Sequence, residues 1–396
     1  MVGKRENLVQ EKGVNEYGDG VVWFRGSLLG KGGFGCVYLA TLKNPTSKYS
    51  YFPSLMAVKS AEVSASGSIQ KEREVLSNVK GCPDIIKCFG EETTIGENGI
   101  MVYNLLLEYG SGGTLADKIK KSGGKGLPEL EARVYTRSIL RGLNHIHEIG
   151  YVHCDLKPEN ILLLPNGRKG GGGTEFRAKI GDFGLAKREK QSKKRKLDPY
   201  WRGTPMYLSP EAVRDNVQEA PCDIWALGCV VLEMLTGKPP WESKSEDILK
   251  KIREGNELPK VPNEISKEAR DFLKGCFVKK SMFRLTAEML LHHPFVEGLN
   301  DDVEVEEFEE VEDLNDIESI LLVSESGDDE FGRGSFSYWS EEDGDCVEDE
   351  IESSFDEVGG LEVDEIDQSN EGSISLQVSP KTRQHCPVSF TIHAGV

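Results

Sequence analysis

Long apolar runs are missing from this sequence of 396 residues. A membrane-spanning helix needs about 18 or more consecutive apolar residues, and the most apolar segment here, 224–235, is shorter and is interrupted by Gly228 and Glu233. The first residues, MVGKRENLVQ, lack the apolar core of a secretory signal, and Val2 stands where N-myristoylation requires glycine. We therefore expect neither a membrane protein nor a secreted one.

Cysteine pairs are also missing, although the chain has nine cysteines. Nine is an odd number and no CxxC pair occurs, so the cysteines form neither a disulfide framework nor a set of zinc ligands. We interpret the histidine pairs His145/His147 and His292/His293 as ordinary helix and loop residues. Unpaired cysteines are typical of a reducing compartment, and we expect the protein in the cytoplasm, the nucleus or both.

Positive charge is almost absent from the last quarter of the chain. Residues 301–396 contain 30 acidic and 3 basic residues, a net charge of −27, whereas residues 1–300 contain 37 acidic and 45 basic residues, a net charge of +8. A segment of low hydrophobicity and high net charge cannot bury enough apolar surface to offset the entropy of folding. We therefore predict that 299–396 is an acidic, largely disordered regulatory tail, and that the polar residues 1–20 form a flexible lead-in.

The body of the chain changes its pattern once. Residues 21–106 alternate between apolar and polar residues in short bursts typical of strands, with one helical stretch at 68–79. After Gly113 the pattern becomes helical, most clearly at 130–149 and 221–235. The sequence thus predicts an α+β domain at 21–298, in which a strand-rich lobe (about 21–110) precedes a helix-rich lobe (about 111–298). The loops 43–54 and 165–177 read as insertions.

A glycine motif, GxGxxG, lies between two of the predicted strands. Gly30, Gly32 and Gly35 stand in LLGKGGFGCVYLA, and no helical pattern follows them. This context favours a loop between two antiparallel strands over the strand-to-helix turn of a dinucleotide site. Glycines allow the backbone to close over a polyphosphate and to present N–H groups to it. A plain hairpin turn is the alternative reading.

A lysine ends one of the next predicted strands. Lys59 in LMAVKS either extends into solvent, as a strand-terminal lysine often does, or points at a charged partner. The helical stretch 68–79 begins soon afterwards and contains Glu72 and Glu74. Glu72 is the better candidate to face Lys59, and Glu74 is the competing one.

Three further motifs follow in order along the chain: HCDLKPEN at 153–160, DFG at 182–184, and GTP at 203–205 with SPE at 209–211. Together with the glycine loop and the lysine strand, they resemble the signature set of eukaryotic protein kinases. HPF at 293–295 resembles the usual end of that domain. The resemblance covers about residues 21–298 and implies the bilobal protein kinase fold, with ATP and Mg²⁺ as cofactors.

The resemblance also implies roles for individual residues. Asp155 would accept the proton of the substrate hydroxyl, and Lys157 would contact the γ-phosphate. Lys59 would hold the α- and β-phosphates and be fixed by Glu72, and Thr204 would brace the catalytic loop. Asn160 and Asp182 would coordinate Mg²⁺. The residues implied for nucleotide binding are Leu29, Gly30, Lys31, Gly32, Gly33, Phe34, Gly35, Val37, Ala57, Lys59, Glu108, Tyr109 and Gly110.

Other residues take structural roles under the same resemblance. Leu107 aligns with the gatekeeper, and the segment 108–110 with the hinge that hydrogen-bonds adenine. Glu211 and Arg284 would form a buried ion pair, and Asp223 would brace the catalytic loop from a central helix.

The body further resembles the plant MEKK-type MAP kinase kinase kinases. This likeness rests on GTPMYLSPE, on CDIWALGCVVLEMLTGKPPW and on the end LTAEMLLHHPF. It implies a Ser/Thr protein kinase that phosphorylates MAP kinase kinases in plant stress or hormone signalling, with neither a nucleic acid nor a membrane as partner. Another tier of Ser/Thr kinase is the alternative, followed by a pseudokinase scaffold and by an accessory kinase domain attached to an interaction tail.

Two departures bear on regulation. Cys154 occupies the position where most kinases have an arginine that pairs with a phosphorylated activation loop, so we expect that phosphorylation between Lys187 and Thr204 is not the main switch. Arg188 or Arg202 would have to substitute if it is. The stretch KREKQSKKRK at 187–196 carries a net charge of +6. The acidic tail is a candidate to dock on it, and a solvated charge run or a nuclear signal are the alternatives.

Overall fold

The computed structural model describes residues 17–44, 52–97, 99–166, 176–189, 201–242, 245–254 and 257–299. Most of the predicted lead-in, the middle parts of both inserted loops, most of the basic stretch 187–196 and the acidic tail lie outside the described residues. The predictions made for them therefore stay predictions.

A five-stranded antiparallel sheet forms the first lobe, with the strands in the spatial order β1-β2-β3-β5-β4. The strands are β1 (Trp23–Gly32), β2 (Gly35–Leu42), β3 (Leu55–Glu62), β4 (Cys88–Ile95) and β5 (Met101–Glu108). Helix α1 (Gly67–Asn78) connects β3 to β4. The strand-rich lobe and the helix predicted at 68–79 are both confirmed.

Helix α1 buries a mixed face. Ile69, Val75 and Leu76 are the apolar side chains of this face, and Glu72 is fully buried among them. A buried carboxylate is costly unless it is paired, so Glu72 requires a cation in the neighbouring sheet. This requirement makes α1 the element that links the sheet of the first lobe to the site described below.

The second lobe is predominantly helical, as predicted. Its helices are α2 (Leu115–Lys121), α3 (Glu129–Glu148), α4 (Pro210–Asp215), α5 (Ala220–Thr236), α6 (Ser245–Glu254), α7 (Lys267–Cys276) and α8 (Ala287–Leu291). Short strands lie between α3 and α4 and form two antiparallel pairs: β6 (Tyr151–Val152) with β9 (Lys187–Arg188), and β7 (Ile161–Pro165) with β8 (Phe176–Ile180). The catalytic-loop motif lies between β6 and β7, and the DFG motif lies between β8 and β9.

Helix α5 lies at the centre of the second lobe. It is buried on all sides, which is typical of a helix in the core of a larger domain. Trp225 packs edge-to-face against Phe277, and Gly228 lets α7 approach closely, since an added Cβ would lie 2.6 Å from the Cβ of Cys276. One continuous apolar core joins α5 to Leu105 on β5 and so spans both lobes.

Among the described residues, no helix combines the length and the apolar character needed to cross a bilayer.

Candidate active site

The glycine motif forms the turn of the β1–β2 hairpin. Gly30 pairs with Val37, and Gly32 pairs with Gly35. Gly35 has φ +132°, and a Cβ added there would lie 2.3 Å from the carbonyl oxygen of Ser60 on β3. Only glycine fits this position without displacing a neighbouring strand. The strand-loop-strand context predicted from the sequence is thus confirmed.

A cavity of about 350 Å³ lies beneath this hairpin. Its wall includes the hairpin, Lys59 on β3, the segment 108–110 at the end of β5, and Asn160 and Asp182. Of the thirteen residues that the sequence assigned to nucleotide binding, the cavity is lined by all except Gly33. Sequence reasoning missed Leu162, Ile86 and the segment 111–114, which also contribute to the wall. Leu162 stands in the apolar ILLL run directly after the catalytic-loop motif, and this was the available signal.

Lys59 lies between two carboxylates. Its Nζ is 2.5 Å from Oε2 of Glu72 and 2.8 Å from Oδ1 of Asp182. The other oxygen of Glu72, Oε1, accepts a hydrogen bond from the backbone N–H of Phe183 at 3.1 Å. Glu74 is exposed on α1 and is not the partner of Lys59. Three distant segments, β3, α1 and the DFG motif, therefore meet at one ammonium group.

The electrostatics of this cluster follow from burial and charge together. Burial alone would lower the pKa of Lys59, but the two carboxylates outweigh it and raise that pKa, so the ammonium stays charged. Burial would raise the pKa of Asp182, but the adjacent Lys59 outweighs it and lowers that pKa. Asp182 is therefore ionised at neutral pH. For Glu72 burial dominates, and the pKa is raised.

Asp155 is held by four donors. Its Oδ1 accepts hydrogen bonds from the backbone N–H of Thr204 at 2.9 Å and from the Thr204 hydroxyl at 2.8 Å. Its Oδ2 accepts from Nζ of Lys157 at 2.8 Å and from Nδ2 of Asn160 at 3.3 Å. Lys157 also donates to the hydroxyl of Thr204 at 2.9 Å. Residues from the catalytic-loop motif and the GTP motif thus form one hydrogen-bonded cluster.

Asp223 at the start of α5 supports the loop from below. It is fully buried, and it accepts hydrogen bonds from the backbone N–H groups of His153 at 2.9 Å and Cys154 at 3.0 Å. Burial would raise the pKa of Asp223, but contacts with His147 and His153 outweigh burial and lower it. The sequence suggested that His147 is an ordinary helix residue. In the structure its Nε2 lies 2.9 Å from Oδ2 of Asp223.

Cys154 adopts a left-handed conformation with φ +67° and is buried. Its thiol donates to the carbonyl of Val152 at 3.6 Å, and burial raises its pKa, so the side chain is neutral and offers no positive charge. Arg188, one of the two possible substitutes, donates to the hydroxyl of Tyr151 at 2.9 Å. For Arg202, the other possible substitute, the backbone N–H donates to Oε1 of Gln218 and the backbone carbonyl accepts from Nε2 of Gln218.

Glu211 and Arg284 form the ion pair that the resemblance implied. The two guanidinium nitrogens of Arg284 lie 2.6 and 3.0 Å from the two carboxylate oxygens, and both residues are buried. Burial would raise the pKa of Glu211, but the bidentate contact outweighs it and lowers that pKa. The pair connects α4 to the segment before α8 and lies outside the cavity wall.

The donor set of the cavity suits a hard cation. Asp182 is ionised, and Asn160 uses its amide nitrogen for two bonds to Asp155, which leaves the amide oxygen as the atom it offers. Carboxylate and amide oxygens are ligands that Mg²⁺ prefers. No cluster of three or more His, Cys, Asp or Glu residues arranged for a metal occurs among the described residues.

Comparison with known proteins agrees with this geometry. The family model described as protein kinase domain matches residues 23–296. Mitogen-activated protein kinase kinase kinase 20 of Arabidopsis thaliana is 45% identical over 288 residues, which span 71% of this chain and 80% of that protein. Mitogen-activated protein kinase kinase kinase 17 of the same plant is 38% identical over 69% of each chain. Mitogen-activated protein kinase kinase kinase 18, also of Arabidopsis thaliana, is 38% identical over 69% of this chain and 77% of its own length.

Proposed function

Because the chain belongs to the protein kinase family, we propose that it is a MAP kinase kinase kinase that transfers the γ-phosphoryl group of ATP to serine or threonine residues of MAP kinase kinases. The Ser/Thr kinase activity follows from the family and from the plant relatives. The substrate tier is the step beyond them, and the printed names of those relatives support it. A role in plant stress or hormone signalling is part of the same proposal.

The observation that carries the proposal is that two charged clusters meet at the cavity wall: Lys59, Glu72 and Asp182 line the cavity, and Asn160 links its wall to Asp155. Lys59 is held by Glu72 and Asp182 on one side, and Asp155 is held by Thr204 and Lys157 on the other. Phosphoryl transfer passes through a transition state with spread negative charge, so catalysis depends on positioning and on electrostatic stabilisation. Fixed cations beside a fixed carboxylate meet both needs.

The nucleotide would bind beneath the β1–β2 hairpin. The backbone of the glycine loop would cover the phosphates, and Lys59, whose position is fixed by Glu72, would contact the α- and β-phosphates. The backbone of 108–110 would hydrogen-bond the adenine, with Leu107 at the rear of the pocket. Asp182 and Asn160 would hold Mg²⁺, which would supply positive charge to the phosphates.

The substrate hydroxyl would be oriented by Asp155. Two hydrogen bonds from Thr204 fix its Oδ1. Oδ2 accepts from Lys157 and Asn160, and it would accept the proton when Lys157 turns to the nucleotide. Lys157 bridges Asp155 and Thr204 and would move to contact the γ-phosphate when the nucleotide is present. Asp223 would maintain this loop geometry through its bonds to His153 and Cys154.

A regulatory contact is a separate part of the proposal, and charge alone supports it. Residues 301–396 have a net charge of −27, and the stretch 187–196 has a net charge of +6. A tail tethered to the same chain has a high effective concentration at such a stretch. We propose that the tail docks there and limits access of the substrate.

The test is transfer from Mg-ATP to a panel of catalytically inactive MAP kinase kinases, with the full chain compared with its Asp155→Asn variant. We expect the wild-type chain to phosphorylate activation-loop serine or threonine residues of at least one of them, and the variant to be inactive while it still binds ATP. Transfer to generic substrates alone would refute the MAP kinase kinase tier. Equal transfer by wild type and variant would refute the assignment of Asp155.

A further inference from the structure

Strand β8 carries a lysine that none of the kinase motifs includes. Lys179 is 8% exposed, and its Nζ lies 2.8 Å from both Oε1 and Oε2 of Glu108. Glu108 is the last residue of β5 and the first of the segment 108–110 that lines the cavity. The contact joins residues 71 positions apart in the chain.

The carboxylate of Glu108 connects three elements at this edge of the cavity. Besides the contact with Lys179, its Oε2 accepts a hydrogen bond from the backbone N–H of Lys87 at 3.0 Å. The backbone N–H of Glu108 in turn donates to the carbonyl of Lys87 at 2.9 Å. The segment before β4, the end of β5 and the strand β8 are therefore fixed to one another through one side chain.

Lys179 is paired across the β7–β8 ladder with a residue that lines the cavity. Lys179 pairs with Leu162 in the β7–β8 ladder, and directly opposed residues of an antiparallel pair project from the same face. Leu162 lines the cavity. The strand ends at Ile180, and Asp182 follows two residues later. Lys179 thus contacts the segment that would hold adenine and stands three residues before the aspartate that would hold the metal.

A buried ammonium needs a partner, and its partner is then fixed in return. The side chain of Lys179 is 10% exposed and that of Glu108 is 19% exposed, so little water competes for either charge. Charge-assisted bonds to both carboxylate oxygens hold the carboxylate in one orientation. Because the carboxylate belongs to the first residue of 108–110, the backbone of that segment is held as well.

We propose that Lys179 is a positioning residue that fixes the 108–110 backbone for adenine binding through its ion pair with Glu108. This inference rests on the proposed function, since it assumes that ATP occupies the cavity. A segment held in its bound conformation before the ligand arrives loses less entropy on binding. The ion pair therefore contributes to nucleotide affinity although Lys179 does not touch the nucleotide.

Two other roles for Lys179 give different results and can be separated. If Lys179 acted through Asp182, three residues further on, its loss would weaken the binding of the triphosphate and leave adenosine unaffected. If it only stabilised the fold, its loss would lower the melting temperature and leave both affinities unchanged. Positioning of 108–110 predicts an equal loss for ATP and for adenosine, because both share the adenine.

The experiment measures binding of ATP and of adenosine to the full chain by isothermal titration calorimetry. Lys179→Met is expected to weaken both by about tenfold, which corresponds to about 1.4 kcal/mol, and Lys179→Arg to restore most of the loss. In steady-state kinetics Lys179→Met should raise KM for ATP and leave KM for the protein substrate unchanged.

The controls use neighbouring cations. Lys87→Met removes an exposed side chain but keeps the backbone N–H that contacts Glu108, and it should leave both affinities unchanged. Arg177→Met breaks another ion pair of β8, in which Nε lies 2.8 Å from Oδ1 of Asp84. It should reduce stability without the shared loss of affinity. The same affinity loss in Arg177→Met would mean general loosening of β8 and would overturn the proposal.

A variant with a single unpaired buried charge can fail to fold, so a second route is included. The double variant Glu108→Gln/Lys179→Met removes both charges, which costs less stability than removing one partner. It should show the same loss for ATP and adenosine as Lys179→Met. Wild-type affinity in this variant or in Lys179→Met refutes the positioning role. Failure of the wild-type chain to bind either ligand refutes instead the proposed function.

Discussion

At the scale of single residues, the site is built from buried charges that occur in pairs. Lys59, Glu72, Asp155 and Lys157 are each less than a tenth exposed, and each has an oppositely charged partner. Such pairs rarely add much stability, because desolvation offsets their attraction. Their value here is geometric, since each partner fixes the position of the other.

The first residue-scale prediction compares two glutamates of α1. Glu72→Gln removes the carboxylate that orients Lys59, and we expect kcat/KM to fall by about 100-fold, the size of effect known for small misplacements of reacting groups. Glu74→Gln alters an exposed residue of the same helix and should retain wild-type kinetics. Equal kinetics for the two variants, measured with the same protein substrate, would contradict the role given to Glu72.

The second residue-scale prediction concerns Glu233 on α5. Its carboxylate accepts a hydrogen bond from the hydroxyl of Tyr207 at 2.8 Å. Burial raises the pKa of Glu233 from 4.5 to about 7. The folded state therefore binds this proton more tightly than the unfolded chain, so the protein loses stability as pH rises from about 4.5 to about 7.

Glu233→Gln removes that titration while the amide oxygen can still accept from Tyr207. At pH 8 the variant should be more stable than the wild type by about 3 kcal/mol, and near pH 4.5 the two should be almost equally stable. Denaturant unfolding at both pH values measures the difference. A stability difference that does not change with pH would show that Glu233 titrates normally.

At the scale of elements, caps and turns decide where segments begin. Thr114 starts α2 with a capping box, in which its hydroxyl accepts from the backbone N–H of Asp117 at 3.1 Å and its own N–H donates to the Asp117 carboxylate at 3.1 Å. Both residues line the cavity. The start of α2 and one wall of the site are therefore set by the same local interaction.

Thr114→Ala removes the cap, and we expect the free energy of unfolding to fall by about 1 kcal/mol. Lys120→Ala on the exposed face of the same helix should change it little. Urea unfolding of both variants against the wild type gives the comparison. A loss in Lys120→Ala as large as that in Thr114→Ala would indicate that helix propensity, and not the cap, sets the stability of α2.

At the scale of the whole molecule, charge is divided unevenly along the chain. The net charge of −19 combines +8 over residues 1–300 with −27 over residues 301–396. Attraction between segments of opposite charge is weakened by salt, because exposed charges are screened beyond about 10 Å at 0.1 M ionic strength. The proposed inhibitory contact of the tail should therefore depend on ionic strength.

The full chain and residues 1–300 should differ in activity at low salt and converge at high salt. We expect the truncated chain to be several-fold more active at about 0.02 M salt, with the difference largely lost at about 0.5 M. Initial rates on one MAP kinase kinase at both ionic strengths provide the measurement. Equal rates for the two chains at both salt concentrations would leave the tail without an inhibitory role.

The sequence by itself determined the two lobes and the order of the site motifs. Strands and helices were predictable because alternation and helical spacing are local patterns, which is why the helix predicted at 68–79 was found at Gly67–Asn78. The glycine loop was predictable for the same reason, since the lack of a following helix is visible in the sequence. The nucleotide-binding residues were named through the family resemblance, and the cavity wall contains all of them except Gly33.

Only the tertiary structure decided which side chains meet. It selected Glu72 over Glu74, placed His147 on Asp223 and paired Lys179 with Glu108. These choices depend on how α1 and α5 are rotated and where β8 lies against β5, and local periodicity does not specify either. The partners are separated by up to 123 residues, as for Lys59 and Asp182. Packing of the shared core fixes such contacts, because buried charges are stable only where an opposite charge is brought to them.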